Sequence, residues 1–285
     1  MMSQKYSEAV KTAQEYYNSD DADNFYFQIW GGEDIHIGLY QDDHENIATA
    51  SERTVETMID HILVDSPTAL TPQGRVIDLG SGYGGAARKL ARTFDCHVTC
   101  INLSETQNRR NHQLNEAAGL SALIDVRDAS FEEIPSADEC FDLAWSQDAI
   151  LHSGQREKVL DEIDRILKPG GELIFTDPMQ ADDCPRGVLE PVLDRIHLSS
   201  LGSFDFYRRQ ARRLGWQEVG IDDLTYQLTR HYQRVREELA SQKNSLSQHI
   251  SAEYIKRMDQ GLGHWIHAGR NGYLAWGIMR FRKPG

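Results

Sequence analysis

The sequence predicts an α/β domain: a mostly parallel sheet with helices on both faces, preceded by an N-terminal helical cap and interrupted by a helical insertion. Three observations predict it. Apolar runs at 76–79, 97–103, 122–126, 141–146 and 172–177 alternate with helical patterns at 85–94, 104–118 and 155–167, as a parallel sheet with crossover helices requires. The first run enters a glycine-rich turn, Gly80-Ser-Gly-Tyr-Gly84, that opens directly into a helix. The third helix stops at Leu167-Lys-Pro-Gly-Gly171, where Pro169 forbids continuation and the glycines supply the turn.

Taken in order, residues 5–17 carry helical spacing through Ala9, Val10, Ala13, Tyr16 and Tyr17, and residues 18–24 break it with turn and cap formers. Residues 25–40 are dense in aromatics and glycine. Phe25, Phe27 and Ile29 are expected to pack this segment onto the main domain, whereas Trp30 and Tyr40, beside glycines in irregular backbone, are placed to line a site. A helix follows over 45–64 and a loop over 65–74. The expected organisation is a cap over 1–70 and a core over 71–285, with helical insertions at about 180–215 and 227–268. Beyond the fifth strand the pattern gives a loop at 178–187, helices near 188–200 and 203–214, and a short strand at 217–221. Two helices bending near Ser251 and a last strand within 272–282 complete the chain.

A chain of 285 residues with 40% hydrophobic content can bury a large core. Its net charge of −14 argues against nucleic acid or an anionic membrane surface as a partner, since both repel it at long range. The four cysteines include no C-x-x-C pair, so buried thiols in a reducing compartment are expected, with neither a disulfide framework nor a metal site. No apolar run approaches ~20 residues and no signal-peptide pattern opens the chain. The expected location is the cytoplasm, and the expected partner a small molecule.

In sheets of this kind ligands sit outside the carboxyl ends of the strands, where the distinctive residues fall. Asp78 precedes the first turn glycine by two, in a G-x-G-x-G spacing rather than the G-x-G-x-x-G of dinucleotide sites. The second strand ends at Asn102 with Gln107 beyond it, and Ser104 is set to cap the next helix with Gln107 as its capping-box partner. Asp128 and Ala129 follow the third strand, and Gln147, Asp148 and His152 follow the fourth.

The string Asp78-Leu-Gly-Ser-Gly-Tyr-Gly84, joined in order by Asn102-Leu-Ser-x-x-Gln107, Arg127-Asp-Ala129 and Leu167-Lys-Pro-Gly-Gly171, resembles the class I S-adenosylmethionine-dependent methyltransferases. The resemblance implies the Rossmann-like fold of that class and S-adenosyl-L-methionine as cofactor, held by Asp78, Gly80, Ser81, Gly82, Asn102, Leu103, Gln107, Asp128, Ala129 and Gln147. Asp128 would accept the adenine amino group. Asn102, where many nucleoside sites place an acid, looks like the subgroup of cyclopropane synthases, sterol methyltransferases and small-amine methyltransferases.

The segment from Tyr16 to Tyr40 narrows this further, being similar to the sarcosine/dimethylglycine N-methyltransferases. That resemblance implies methylation of dimethylglycine and sarcosine to glycine betaine. Methyl transfer to an amine needs alignment, a deprotonated nitrogen and aromatic surroundings for the developing cation. Tyr26, Trp30, Asp148 and His152 are the catalytic candidates. Tyr40, Pro178, Met179 and an arginine for the acceptor carboxylate, Arg186, Arg208 or Arg270, are the substrate-binding ones. A lipid or sterol methyltransferase and a silent S-adenosylmethionine-binding protein stay open as alternatives.

Overall fold

The computed structural model describes residues 20–65, 70–196 and 198–285. The helix expected over 5–17 and part of the loop over 65–74 lie outside them. Seven strands form one sheet in the order β3-β2-β1-β4-β5-β9-β7. Strands β1 (Arg75–Leu79), β2 (His97–Asn102), β3 (Ile124–Asp128), β4 (Phe141–Gln147) and β5 (Leu167–Thr176) run parallel. At the far edge β9 (Gly277–Arg282) pairs antiparallel with β5 and β7 (Gln217–Asp223) antiparallel with β9, so β9 alone runs against the other strands of this sheet. A two-residue ribbon, β6 (Met179–Gln180) with β8 (Leu274–Ala275), lies apart from the sheet.

The strands are apolar on both faces because both are covered. Successive residues alternate between two cores: Ile77, Ala144, Leu173 and Phe175 pack on one side, and Val76, Leu143, Trp145 and Ile174 on the other. Crossovers α3 (Gly85–Phe94), α4 (Glu105–Ala117) and α5 (Arg156–Ile166) fall where the periodicity places them. β5 starts five residues before the expected run, because a register shift between Phe141 and Leu143 lets Leu167 pair with Phe141 ahead of the Pro-Gly-Gly turn.

The front of the chain departs from expectation. Asp20–Trp30 is a helix, α1, so residues 20–24, read as a helix breaker, are instead helical. Ala22, Phe25 and Ile29 share its buried face, at the spacing that puts them on one side of a helix. Phe27 is the more exposed of the three and packs on the main domain, its ring 5.9 Å from that of Tyr83 and beneath the Arg110 guanidinium at 4.1 Å. α2 (Ile47–Asp65) follows.

After the fifth strand come α6 (Glu190–Ile196) and α7 (Phe204–Arg213), then α8 (Thr225–Ser241), a short α9 (Lys243–Leu246) and α10 (Ala252–Arg270). The expected break at Ser251 is a helix cap: its hydroxyl accepts the Tyr254 amide at 3.3 Å and donates to Asp21 of α1 at 2.5 Å. One apolar cluster joins α1, α8 and α10, so the cap and the late helices form one layer over the carboxyl edge of the sheet. No helix among the described residues is long and apolar enough to cross a membrane.

Candidate active site

The chain leaves β1 toward β2 and β3 on one side and returns to β4 and β5 on the other, so the crevice opens above β1 and β4. Gly80 and Gly82 both take positive φ, +77° and +51°, which L side chains resist. They do different work. A β-carbon on Gly80 would overlap that of Ala149 beyond β4, so this glycine lets the two strand ends close together. One on Gly82 would face the cavity beside Ile35.

Two adjoining cavities share this turn. The larger, about 640 Å³, is lined by Asn102, Leu103, Gln107 and Ala129 on one flank and by Gln147, Asp148 and His152 on the other. The smaller, about 320 Å³, is lined by Asp78, Ser81 and Gln147 beneath Asp34 and His36. Ile35, Gly80 and Gly82 line both.

Local chemistry explains the flank. Ser104 caps α4, accepting the Gln107 amide at 3.2 Å. The Gln107 side-chain oxygen accepts from the Asn102 amide at 3.0 Å, and the two form a polar pair on the cavity wall. Asn108, which the sequence reading missed, ties the end of β2 to the end of β3. It donates to the Asn102 carbonyl at 3.1 Å and to the Asp128 carboxylate.

Over the crevice runs an irregular strap, residues 33–40. Buried backbone outside a sheet or helix must find partners elsewhere, and these are almost all side chains. The His36 carbonyl accepts from Trp30 at 3.2 Å and Ser51 at 3.0 Å, and the Ile37 carbonyl from Thr54 at 2.8 Å. The Ile37 amide donates to Asp148 at 2.6 Å and the Gly38 amide to His231 Nδ1 at 3.2 Å. Gln227 brackets Tyr40, meeting its amide and its carbonyl at 3.0 Å each. At the front of the strap, Glu33 pairs with the buried Arg88 of α3 at 2.7 Å.

Burial governs the ionisable groups here. Desolvation pushes Asp78 up to about 7, partly countered by His36 and Arg88. Its Oδ2 has no partner, nor has Nε2 of Gln147, whose Oε1 accepts the Trp145 indole at 3.0 Å. Burial works against charge on His36, but the Asp34 carboxylate 3.4 Å away, with Asp148 beyond, raises it above the ordinary histidine value. His231 goes the other way, driven by burial and by His36 down to about 3. Asp148 is raised by burial against the pull of His36 and of the Ile37, Trp276 and Thr176 donors.

The structure thus brings Asp78, Gly80, Ser81, Gly82, Asn102, Leu103, Gln107, Ala129, Gln147, Asp148 and His152 to the two cavities. The others lie elsewhere. Asp128 lines neither cavity; its carboxylate is held at the exposed end of β3 by Asn108. Trp30 is only 5% exposed and packs against His231, with the half-buried Tyr26 ring 5.0 Å away. Tyr40 is a correction: its phenol meets His231 Nδ1 at 2.9 Å in the core, and burial raises its pKa far above the usual value. Met179, fully buried, packs in the sheet core, and Pro178 is buried beside it.

Arg186 and Arg270 are exposed, on the 181–189 segment and at the end of α10, and Arg208 pairs with Glu218 at 3.1 Å. None of the three lines a described cavity. Ile35, His36, Asp34 and Phe131 were missed. For the first three the available signal was position, a polar and apolar alternation directly after the Trp30-Gly-Gly32 break.

Comparison with known proteins places this geometry. A methyltransferase domain family matches residues 77–175, from β1 to the end of β5. The chain is 56% identical over 276 residues to a sarcosine/dimethylglycine N-methyltransferase of Halorhodospira halochloris, covering 97% of each chain. It is 53% identical to the enzyme of the same name from Aphanothece halophytica, covering 96% of this chain and 98% of that one. Among solved structures, a candidate sarcosine dimethylglycine methyltransferase from Galdieria sulphuraria superposes with a TM-score of 0.89 at 43% identity, over 94% of this chain and 99% of the other.

Proposed function

Because the chain belongs to the sarcosine/dimethylglycine N-methyltransferase family of S-adenosylmethionine-dependent enzymes, we propose that it methylates dimethylglycine, and sarcosine before it, to yield glycine betaine. The observation that carries this reading is the strap. Residues 33–40, which lie outside the general methyltransferase domain match at 77–175, roof both cavities through Ile35.

The cavities fit the donor. A nucleoside with an amino-acid tail needs an acceptor for its ammonium, donors for its carboxylate and polar pairs for its ribose. The buried, unpartnered Asp78 Oδ2 and Gln147 Nε2 and the Asn102–Gln107 pair answer those needs. Bound there, S-adenosylmethionine supplies a methyl group already activated on a sulfonium, so no strong nucleophile is required of the protein. What the chain must do is exclude water, align the amine and take its proton.

Ile35, Phe131 and Ala149 supply apolar wall around the larger cavity. His152, at the end of a short 3-10 turn beyond Asp148, lines it too and is the group we assign to accept the amine proton. The test is transfer of labelled methyl from S-adenosylmethionine across a panel of dimethylglycine, sarcosine, glycine, phosphoethanolamine, a sterol and a phospholipid. Label in betaine supports the reading; label confined to phosphoethanolamine or lipid ends it.

A further inference from the structure

Asp148 is one of the catalytic candidates that the sequence offers. Its surroundings give it another task. It ends β4 in a left-handed conformation, φ +50°, which is uncommon and costly for a residue with a side chain. That turn is met by three donors from three separate parts of the chain. The Ile37 amide of the strap donates to Oδ2 at 2.6 Å, while Thr176 at the end of β5 and the Trp276 indole between β8 and β9 donate to Oδ1 at 2.9 and 2.8 Å. A carboxylate offers about four lone-pair sites, so most of its capacity is taken by the frame before any ligand arrives.

The position of the strap bond matters. Glu33 is fixed to Arg88 and Ile37 to Asp148; the three residues between them, Asp34, Ile35 and His36, line the smaller cavity together with Glu33, as do Asp78 and Gln147. We infer that Asp148 is a positioning residue, a clasp that holds residues 34–36 against the donor site, rather than the charge partner of the sulfonium. The inference rests on the proposed donor site but not on which amine is methylated. Oδ2 holds the strap, and the two bonds to Oδ1 fix the rotation of the carboxylate that makes this possible. The charge strengthens all three bonds at once.

The test separates clasp from catalyst by leaving the charge in place. Trp276→Phe and Thr176→Val each remove one donor to Oδ1, while Asp148→Asn removes the charge. The readouts are amide hydrogen exchange at Ile37 in the protein alone and the affinity for S-adenosylhomocysteine by calorimetry, neither of which needs turnover or an acceptor. Exchange at Ile37 should quicken, and affinity fall by about threefold to tenfold in each of the first two variants and more in Asp148→Asn. In steady state the donor KM should rise more than kcat falls. Wild-type exchange and affinity in both Trp276→Phe and Thr176→Val would overturn the clasp, as would an Asp148→Asn protein with unchanged exchange and affinity but a collapsed kcat. Should Asp148→Asn not fold, the other two variants still decide. Absence of dimethylglycine methylation would undo the acceptor assignment and leave these binding measurements standing.

Discussion

The phenol of Tyr83, inside the glycine-rich turn, donates to the carboxylate of Asp23 on α1 at 2.9 Å. The glycine-rich turn is thereby tied to α1. Asp23 also takes Arg110 of α4 at 2.5 Å, and that guanidinium covers the Phe27 ring. Tyr83→Phe keeps the buried ring and removes one bond to a charged acceptor, so unfolding free energy should fall by about 1–3 kcal/mol. Asp23→Ala should cost more, because it removes the carboxylate from the Tyr83 hydroxyl and from Arg110 together. Denaturant midpoints measure both; equal losses would show that Tyr83 and Arg110 do not share Asp23 as a working hub.

The two turn glycines separate packing from binding. Gly80→Ala adds a left-handed penalty of about 1–2 kcal/mol to an overlap with Ala149 that costs about 1–3 kcal/mol more; low stability and loss of soluble protein are expected. Gly82→Ala meets only the backbone penalty and the end of Ile35, but its methyl group enters the donor space. Its melting temperature should therefore drop less than that of Gly80→Ala, while its S-adenosylhomocysteine affinity falls at least tenfold relative to wild type. The reverse ranking would mean that Gly82, not Gly80, closes the strand ends.

Asp78 makes donor binding depend on pH. Burial raises it to about 7 in the free protein, so at pH 6 it is mostly neutral. An ammonium beside it favours the ionised form, hence binding releases a proton and affinity rises with pH through about 7 and then levels off. The same shift has a stability consequence of opposite direction: a carboxyl whose folded pKa is raised stabilises the fold fully below its unfolded value, and that contribution is lost as pH rises through about 7. Calorimetric titration of S-adenosylhomocysteine between pH 5.5 and 8.5 reads the first effect. Asp177, also raised to about 7 by burial, lies under Tyr207 and Leu151 rather than in either cavity, so Asp78→Asn should flatten the profile. A profile that survives Asp78→Asn would assign the titration elsewhere.

What the sequence disclosed follows from how local each signal is. Strand, turn and helix from Arg75 to Thr176 are written in alternation, glycine spacing and caps, and the strand ends carried their polar residues with them; Ser104 and Ser251 are caps because a hydroxyl before a helical run has little else to do. The strap is different. Nothing local tells that the carbonyl of His36 will meet Trp30 and Ser51, or that the amide of Gly38 will find a histidine 193 residues away. Tyr40 had the look of a ligand-facing aromatic and became a core partner of that same histidine. Net charge and residue type say nothing about which of many arginines is already paired, as Arg208 is with Glu218.

His152 gives the sharpest kinetic test. Only an amine that has lost its proton can attack, and a neighbouring base is worth about 10²-fold or more when it takes that proton in place. His152→Ala should therefore lower kcat by about 10²-fold at neutral pH, while S-adenosylhomocysteine affinity stays within a few-fold of wild type because other residues hold the donor. The defect should also shrink as pH rises, since solution removes the proton from the acceptor amine unaided once pH approaches that amine's own pKa. A structural role would give a deficit that stays constant with pH and a matching loss of melting temperature. Profiles of kcat for both proteins between pH 6.5 and 10, each with saturating donor and dimethylglycine, distinguish the two: converging curves keep His152 as the base, and parallel ones remove it.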